Sequence, residues 1–147
     1  MLPNYYQNFS DVKRTRKGDL EYVTYLRIDD HTTPDTPDPE NYTGCTPEEI
    51  AEYMHQDMLR VKSFEDSLWC YVGVCCDINL GKNTVGTACD WNYASDDRAG
   101  IEYALLQIVE EAEKDMCERL DALQRALSAE RLMMFALQGE DVGGVSK

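Results

Sequence analysis

The sequence predicts an α+β domain: a small antiparallel sheet packed on helices, with one long helix at the C-terminal end. Three observations carry this. Residues 20–28 set a largely apolar face at period 2, as a strand does, and two further strand-like runs flank Gly81-Lys82. Residues 46–65 and 96–138 instead recur apolar at helical spacing. The expected order is therefore β-α-β-β-α, with one hairpin over 68–92. With 147 residues and 43% hydrophobic content, the chain reads as one domain with a real core.

Residues 1–19 are polar, with Tyr5, Tyr6 and Phe9 as possible anchors and Lys13, Arg14, Arg16 and Lys17 as a basic cluster. We read them as a polar N-terminal segment whose basic cluster is solvated, the alternatives being an intramolecular clasp on the acidic surface or a contact with a partner. In the strand 20–28, Leu20, Tyr22, Thr24, Leu26 and Ile28 share one face, while Val23 and Tyr25 point to a second, part-covered face. Residues 29–44 form an acidic loop, because Pro34, Pro37 and Pro39 suit neither ladder nor helix. The first helix begins with Thr46 as N-cap, Pro47 at the first position and Glu49 closing a capping box. Its apolar stripe is Ile50, Met54, Met58 and Val61, and it ends near 62–65.

Strands over 68–78 and 84–92 follow. A type II′ turn at Gly81-Lys82 pairs Ile78 with Val85, Cys76 with Thr87, Val74 with Cys89 and Val72 with Trp91. That register buries Val72, Val74, Cys76, Cys89 and Trp91 together. The last helix is capped by Ser95 or Asp96 and spans 96–138. Its stripe, from Ile101 through Leu105, Ile108, Ala112, Met116, Leu120 and Leu123 to Leu127, advances about 3.7 residues per step, as in a straight helix. At about 60 Å the helix is longer than a body of this mass is wide, so it either breaks near Ser128 or leaves the body. Leu132, Met133, Met134, Phe135 and Leu137 make its end apolar on every side, which demands a cover. They fold back on the sheet, or form an interface with a second copy or with a partner. We take the interface, in a homodimer, since two-fold dimers are the commonest homo-oligomers.

Six cysteines, with no secretion-type leader in view, are expected to be mostly reduced. There is no C-x-x-C pair and only two histidines occur, so no metal site and no cofactor are expected. Asp29, Asp30 and His31 could together hold a cation or relay a proton, but nothing supplies a nucleophile at defined spacing. The acids over 35–40 lack the glycine and the terminal glutamate of a calcium loop. No serine-hydrolase elbow, phosphate-binding loop, dinucleotide fingerprint or zinc-protease motif is present, and the expectation is a protein that is not an enzyme. No run suits a membrane span, so the expected location is the cytoplasm, away from membrane.

The informative property is charge. The chain carries 28 acids against 14 bases, a formal net charge of -14. Between Arg27 and Arg60 there are nine acids and no Lys or Arg. Such a field repels nucleic acid and draws basic surfaces. The candidate partner-binding residues are Asp29, Asp30, Asp35, Asp38 and Glu40 in the loop, Asp96 and Asp97 at the hairpin-to-helix junction, and Glu110 and Glu111 on the long helix. In size, charge and lack of a catalytic motif the chain resembles the small acidic anti-CRISPR and anti-restriction proteins of phages and mobile elements. That resemblance implies an inhibitor that occupies a basic surface of a nucleic-acid-handling protein, and it carries over no individual residue. Two other readings use the same residues. An immunity protein or antitoxin would need the same acidic face against a nuclease toxin. A nucleotide-binding sponge would use Trp69, Tyr71 and the tyrosine-rich N-terminus as its pocket.

Overall fold

A computed structural model describes residues 9–143 of the chain. It is an α+β fold: one four-stranded antiparallel sheet in the order β1-β2-β3-β4, with two helices. The strands are β1 (Ser10–Lys17), β2 (Leu20–Asp29), β3 (Tyr71–Leu80) and β4 (Asn83–Ala94). Helix α1 (Pro47–Glu65) lies between β2 and β3, and α2 (Arg98–Gly143) follows β4.

Within the polar segment expected over 1–19, the described residues thus form a strand, β1. β1 is a sheet edge with only Val12 half-buried, so it needs almost no apolar side chains and shows no alternation. Its lysines and arginines are the kind of residue that blunts an exposed edge against further pairing. Gly18, at φ 63, makes the tight return into β2. Arg14 pairs with Glu21 at 3.6 Å and Lys17 with Glu113 at 3.4 Å, so half of the basic cluster is held by this chain's own acids.

The main core forms where the first half of α2 crosses the sheet. Tyr22, Leu26, Val72, Val74, Cys76 and Ile78 meet Ile101, Ala104, Ile108 and Ala112. On the opposite face Val23, Tyr25 and Cys75 are buried with Phe9 and Val12 against them. Both faces of β2 are therefore covered, but Ile28 at its end is exposed.

The hairpin turn falls at Gly81-Lys82, and Gly81 at φ 61 suits the type II′ geometry. The register beyond it differs from the expected one. Thr84 pairs with Asn79, but Gly86 pairs with Ile78, so Val85 is an inserted residue and the partners of Ile78 through Val74 move by one. Cys76 pairs with Ala88 and Val74 with Asp90. Cys89 lands opposite Cys75 on the far face, and the two form a disulfide across the strands. The physical reason lies under α2. A Cβ on Gly86 would stand 2.6 Å from the Ala112 carbonyl oxygen, so only a glycine fits there. A second irregularity at Asn92, φ 75, returns Tyr93 to the core and leaves Trp91 on the far face over Gly73. Trp91 is not buried with Val72 and Val74 as expected; it is 36% exposed, with the Arg27 guanidinium 5.6 Å from the ring centre. The expectation of mostly reduced cysteines holds for Cys45, Cys70, Cys76 and Cys117.

The two helices have unequal roles. α1 contains no buried residue and is held to the sheet through its C-terminal end, so the sheet packs on α2 rather than on both helices. α2 does not break at Ser128. It runs for 46 residues, about 69 Å, and every side chain from 117 to 138 is exposed. Neither Ser95 nor Asp96 caps it. Asp97 does, its carboxylate accepting from the Gly100 N–H at 3.1 Å and its carbonyl from Ile101.

Candidate functional site

Most of the acids between Arg27 and Arg60 fold into one lobe, in which the Pro-rich loop lies along α1, while Asp29 ends β2. Proline prevents the loop from pairing with the sheet, so side chains fasten it. The Tyr42 hydroxyl donates to Asp57, and the Tyr42 ring stacks on Tyr53 with centroids 6.3 Å apart. A short 3-10 turn, Pro39–Asn41, starts at Asp38, whose carboxylate accepts from the Glu40 N–H at 3.0 Å. Between loop and helix lies a cleft of about 260 Å³ lined by Asp35, Asp38, Tyr42, Asp57 and Arg60.

Arg60 joins this lobe to the rest of the chain. Its guanidinium grips Asp96 with two bonds of 2.5 and 2.6 Å and lies over the Trp69 ring, 3.8 Å from its centroid. Trp69 in turn donates to the Arg60 carbonyl and to Ser63 Oγ, and packs edge-on against Phe64 and Tyr71. The fork matches the carboxylate geometry. The bond to Asp96 raises the Arg60 pKa, and the bond to Arg60 lowers that of Asp96. Trp69 is buried by these contacts, and its ring is part of the joint that holds α1. One face of the Trp69 ring is thus covered by Arg60, Tyr71 is half-buried, and Tyr5 and Tyr6 of the tyrosine-rich N-terminus lie outside the described residues.

The candidate acids divide by task. Asp29 closes a turn, accepting from the Thr32 hydroxyl at 2.5 Å and from the His31 and Thr32 N–H groups at 2.9 and 3.2 Å. The Thr32 hydroxyl above all holds its carboxyl below the usual carboxylate range. Asp38, Asp96 and Asp97 likewise serve the chain, as turn acceptor, ion-pair partner and helix cap. Asp30, Asp35 and Glu40 are exposed and stand outside these bonds. Pairing of Asp29 with Tyr71, and of Tyr71 with Ala94, brings the loop to the same end of the sheet as Asp96 and Asp97. Glu110 and Glu111 are not part of that end. They lie 12 to 13 residues along α2 from its start, about 20 Å away, and Glu111 shares a separate cleft with Asp90 and Gln107 at the β4 edge.

Other acids gain meaning only from the fold. Glu48, Glu52 and Asp57 extend the acidic lobe along α1, while Glu49 is used in the capping box with Thr46. Asp77 is buried, accepting from Thr87 Oγ1 at 2.7 Å and from the Tyr25 hydroxyl at 3.3 Å. Glu113 accepts from the Tyr22 hydroxyl at 2.8 Å, and burial together with that carboxylate pushes the Tyr22 pKa up to about 12. Asp115 accepts from the Thr87 N–H at 2.9 Å, closing part of the β4 edge. Asp77's place in a strand between Cys76 and Ile78 was the only hint of its burial.

Among the described residues, no group of three or more His, Cys, Asp or Glu side chains is arranged to hold a metal ion. No described helix is long and apolar enough to cross a membrane. No protein-family model matches the chain, and neither the curated proteins nor the solved structures contain a significant match.

Proposed function

We propose that the acidic lobe of α1 and the Pro-rich loop docks on a basic surface of a nucleic-acid-handling protein and competes there with DNA or RNA. The protein then acts as a stoichiometric inhibitor, by binding and without turnover. One observation carries this reading: of nine carboxylates with no intervening Lys or Arg, four lie on α1, a side helix with no buried residue, and most of the others on the loop beside it. The first base after the run, Arg60, is already committed to Asp96, and Lys62 further along α1 pairs with Asp66 at 3.8 Å. An array of fixed carboxylates on a helix and its loop offers a basic groove the charge that a phosphate backbone would offer.

The test uses Asp30, Asp35 and Glu40 changed together to Lys. They are exposed, and no turn, cap or ion pair depends on them. Wild type and triple variant are used as bait, and any captured protein is then purified and titrated with both. The expected result is a one-to-one complex that excludes nucleic acid and weakens as salt rises. The triple variant should associate more slowly, since rim charges act mainly on the on-rate. The screening length shortens from about 10 Å at 0.1 M to about 3 Å at 1 M salt. Binding that ignores both the salt and the triple reversal would sink the electrostatic reading. A complex that leaves nucleic-acid binding intact would sink the competition.

A further inference from the structure

The outer edge of β4 and the flank of α2 beside it form a groove. β4 ends the sheet order, so one side of its backbone has no strand against it. Cys75 with Cys89, Cys76 with Ala88 and Asp77 with Thr87 pair in unbroken register, so successive residues of β4 turn their N–H and C=O groups alternately to β3 and to the open side. Asp115 fixes the phase. It takes the Thr87 N–H from α2, so residue 87 points outward, and residue 89 does the same. The Cα atoms of Cys75 and Cys89 stand 4.1 Å apart, the close spacing of a pair that shares no ladder bonds. Among the described residues, none bonds the Cys89 N–H or the Thr87 and Cys89 carbonyls.

Beside this open backbone lies a cleft of about 460 Å³ lined by Ala88, Asp90, Ala104, Gln107, Ile108 and Glu111. Gly86 lets α2 down onto β4 at one end, and further along, Ala88 and Ala104 are too small to fill the space between strand and helix. The floor is apolar and the rim acidic, with two acids and no base in the lining. Asp90 accepts from the Tyr93 hydroxyl at 2.6 Å, while Glu111 is exposed and makes no ion pair among the described residues. A second copy laid edge to edge by a two-fold axis would close two acidic clefts on each other, so charge selects a basic occupant.

We infer that the β4 edge accepts an extended segment of a partner protein as an added antiparallel strand, with Lys or Arg on either side of one central residue. The central residue exchanges both backbone bonds with Cys89, and its side chain falls on the far face of the sheet. Its two neighbours stand opposite Ala88 and Asp90 and turn their side chains to the α2 side, into the cleft. There an aliphatic stem lies over Ala88, Ala104 and Ile108, and the cationic head reaches Asp90 or Glu111. Backbone bonds give attachment, and alternate side chains give selectivity. Asp115, itself paired with Arg119 at 2.8 Å, ends the added strand at Thr87. The groove shares no lining residue with the cleft of the acidic lobe, and the inference does not rest on the function proposed for that lobe.

The probe is a fluorescein-labelled peptide, Thr-Val-Arg-Val-Lys-Val-Thr, titrated with the full chain and read by anisotropy. Saturable one-to-one binding is expected. N-methylation of the central valine removes the N–H that meets the Cys89 carbonyl and should weaken binding about tenfold. The reordered peptide Thr-Arg-Lys-Val-Val-Val-Thr keeps the charge but sends its two bases to opposite faces, and should also bind about tenfold more weakly. Glu111→Lys should weaken the parent peptide by a similar factor with the circular dichroism unchanged, because Glu111 is exposed. The lobe variant with Asp30, Asp35 and Glu40 changed to Lys should bind the peptide as wild type does. No binding at about 1 mM peptide would overturn the inference. So would equal affinity for the parent, N-methylated and reordered peptides, which would mean that charge alone holds them. Loss of binding in the lobe variant would place the peptide on the lobe and overturn the groove. An oligomer of the chain alone that Glu111→Lys dissociates would give the edge to a second copy and overturn the assignment of its occupant.

Discussion

Gly86→Ala asks how closely α2 lies on β4. On general grounds an alanine in a strand interior should stabilise by about 0.5–1 kcal/mol, since glycine loses more backbone freedom on folding. At Gly86 the added Cβ would meet the Ala112 carbonyl oxygen at 2.6 Å and the Met116 Cβ at 2.7 Å. The carbonyl belongs to a helix backbone and cannot turn aside, so the helix must rise from the sheet. Overpacking of this kind costs about 1–3 kcal/mol. At the midpoints of those ranges the steric cost wins, and the net loss should be about 1 kcal/mol. For a chain of this size that is a fall in Tm of about 2–4 °C. Gly73→Ala is the matched control. Its Cβ would meet ring atoms of Trp91 at 2.7–2.9 Å, but that ring is partly exposed and free to move outward. There the two effects should nearly cancel. Differential scanning calorimetry of both variants gives the answer. A Gly86→Ala protein as stable as wild type would refute the close approach, and with it the reason offered for the bulge at Val85.

Two further outcomes are expected. Burial, with Glu113 beside it, raises Tyr22 to about 12, and burial beside Asp77 and Glu113 raises Cys76 to about 12, against ordinary values of 10.0 and 9.0. Both groups ionise more easily unfolded than folded, so stability should be full below about pH 9 and fall as pH rises towards 12. Tyr22→Phe and Cys76→Ala should each flatten that decline in urea titrations, and an unchanged pH slope in the double variant would count against these buried sites. Reducing Cys75–Cys89, which closes a loop with a sequence separation of 14, should cost about 2–3 kcal/mol by loop entropy, read as a lower denaturant midpoint in reductant. An unmoved midpoint would show that the hairpin needs no cross-link.

What local chemistry dictates is legible in the residues alone. Thr46, Pro47 and Glu49 start α1, Gly81 makes the hairpin turn, and the 3.7-residue spacing from Ile101 sets the face of α2. Each depends on residues within a turn or two of one another. The acidic run between Arg27 and Arg60 was equally plain, because composition needs no fold to be read. Tertiary structure decided the rest. β1 has no alternation to read, because an edge strand with one half-buried side chain leaves its pattern to solvent. The bulge at Val85 depends on how near α2 comes, a distance between residues 26 apart in the chain. That single inserted residue sent Cys89 and Trp91 to the far face and brought Cys89 opposite Cys75. Among the acids, only the fold separates those that hold turns, caps and Arg60, such as Asp29, Asp97 and Asp96, from Asp30, Asp35 and Glu40, which stand clear. A carboxylate's task depends on the donor it meets, and for Asp96 that donor is 36 residues away.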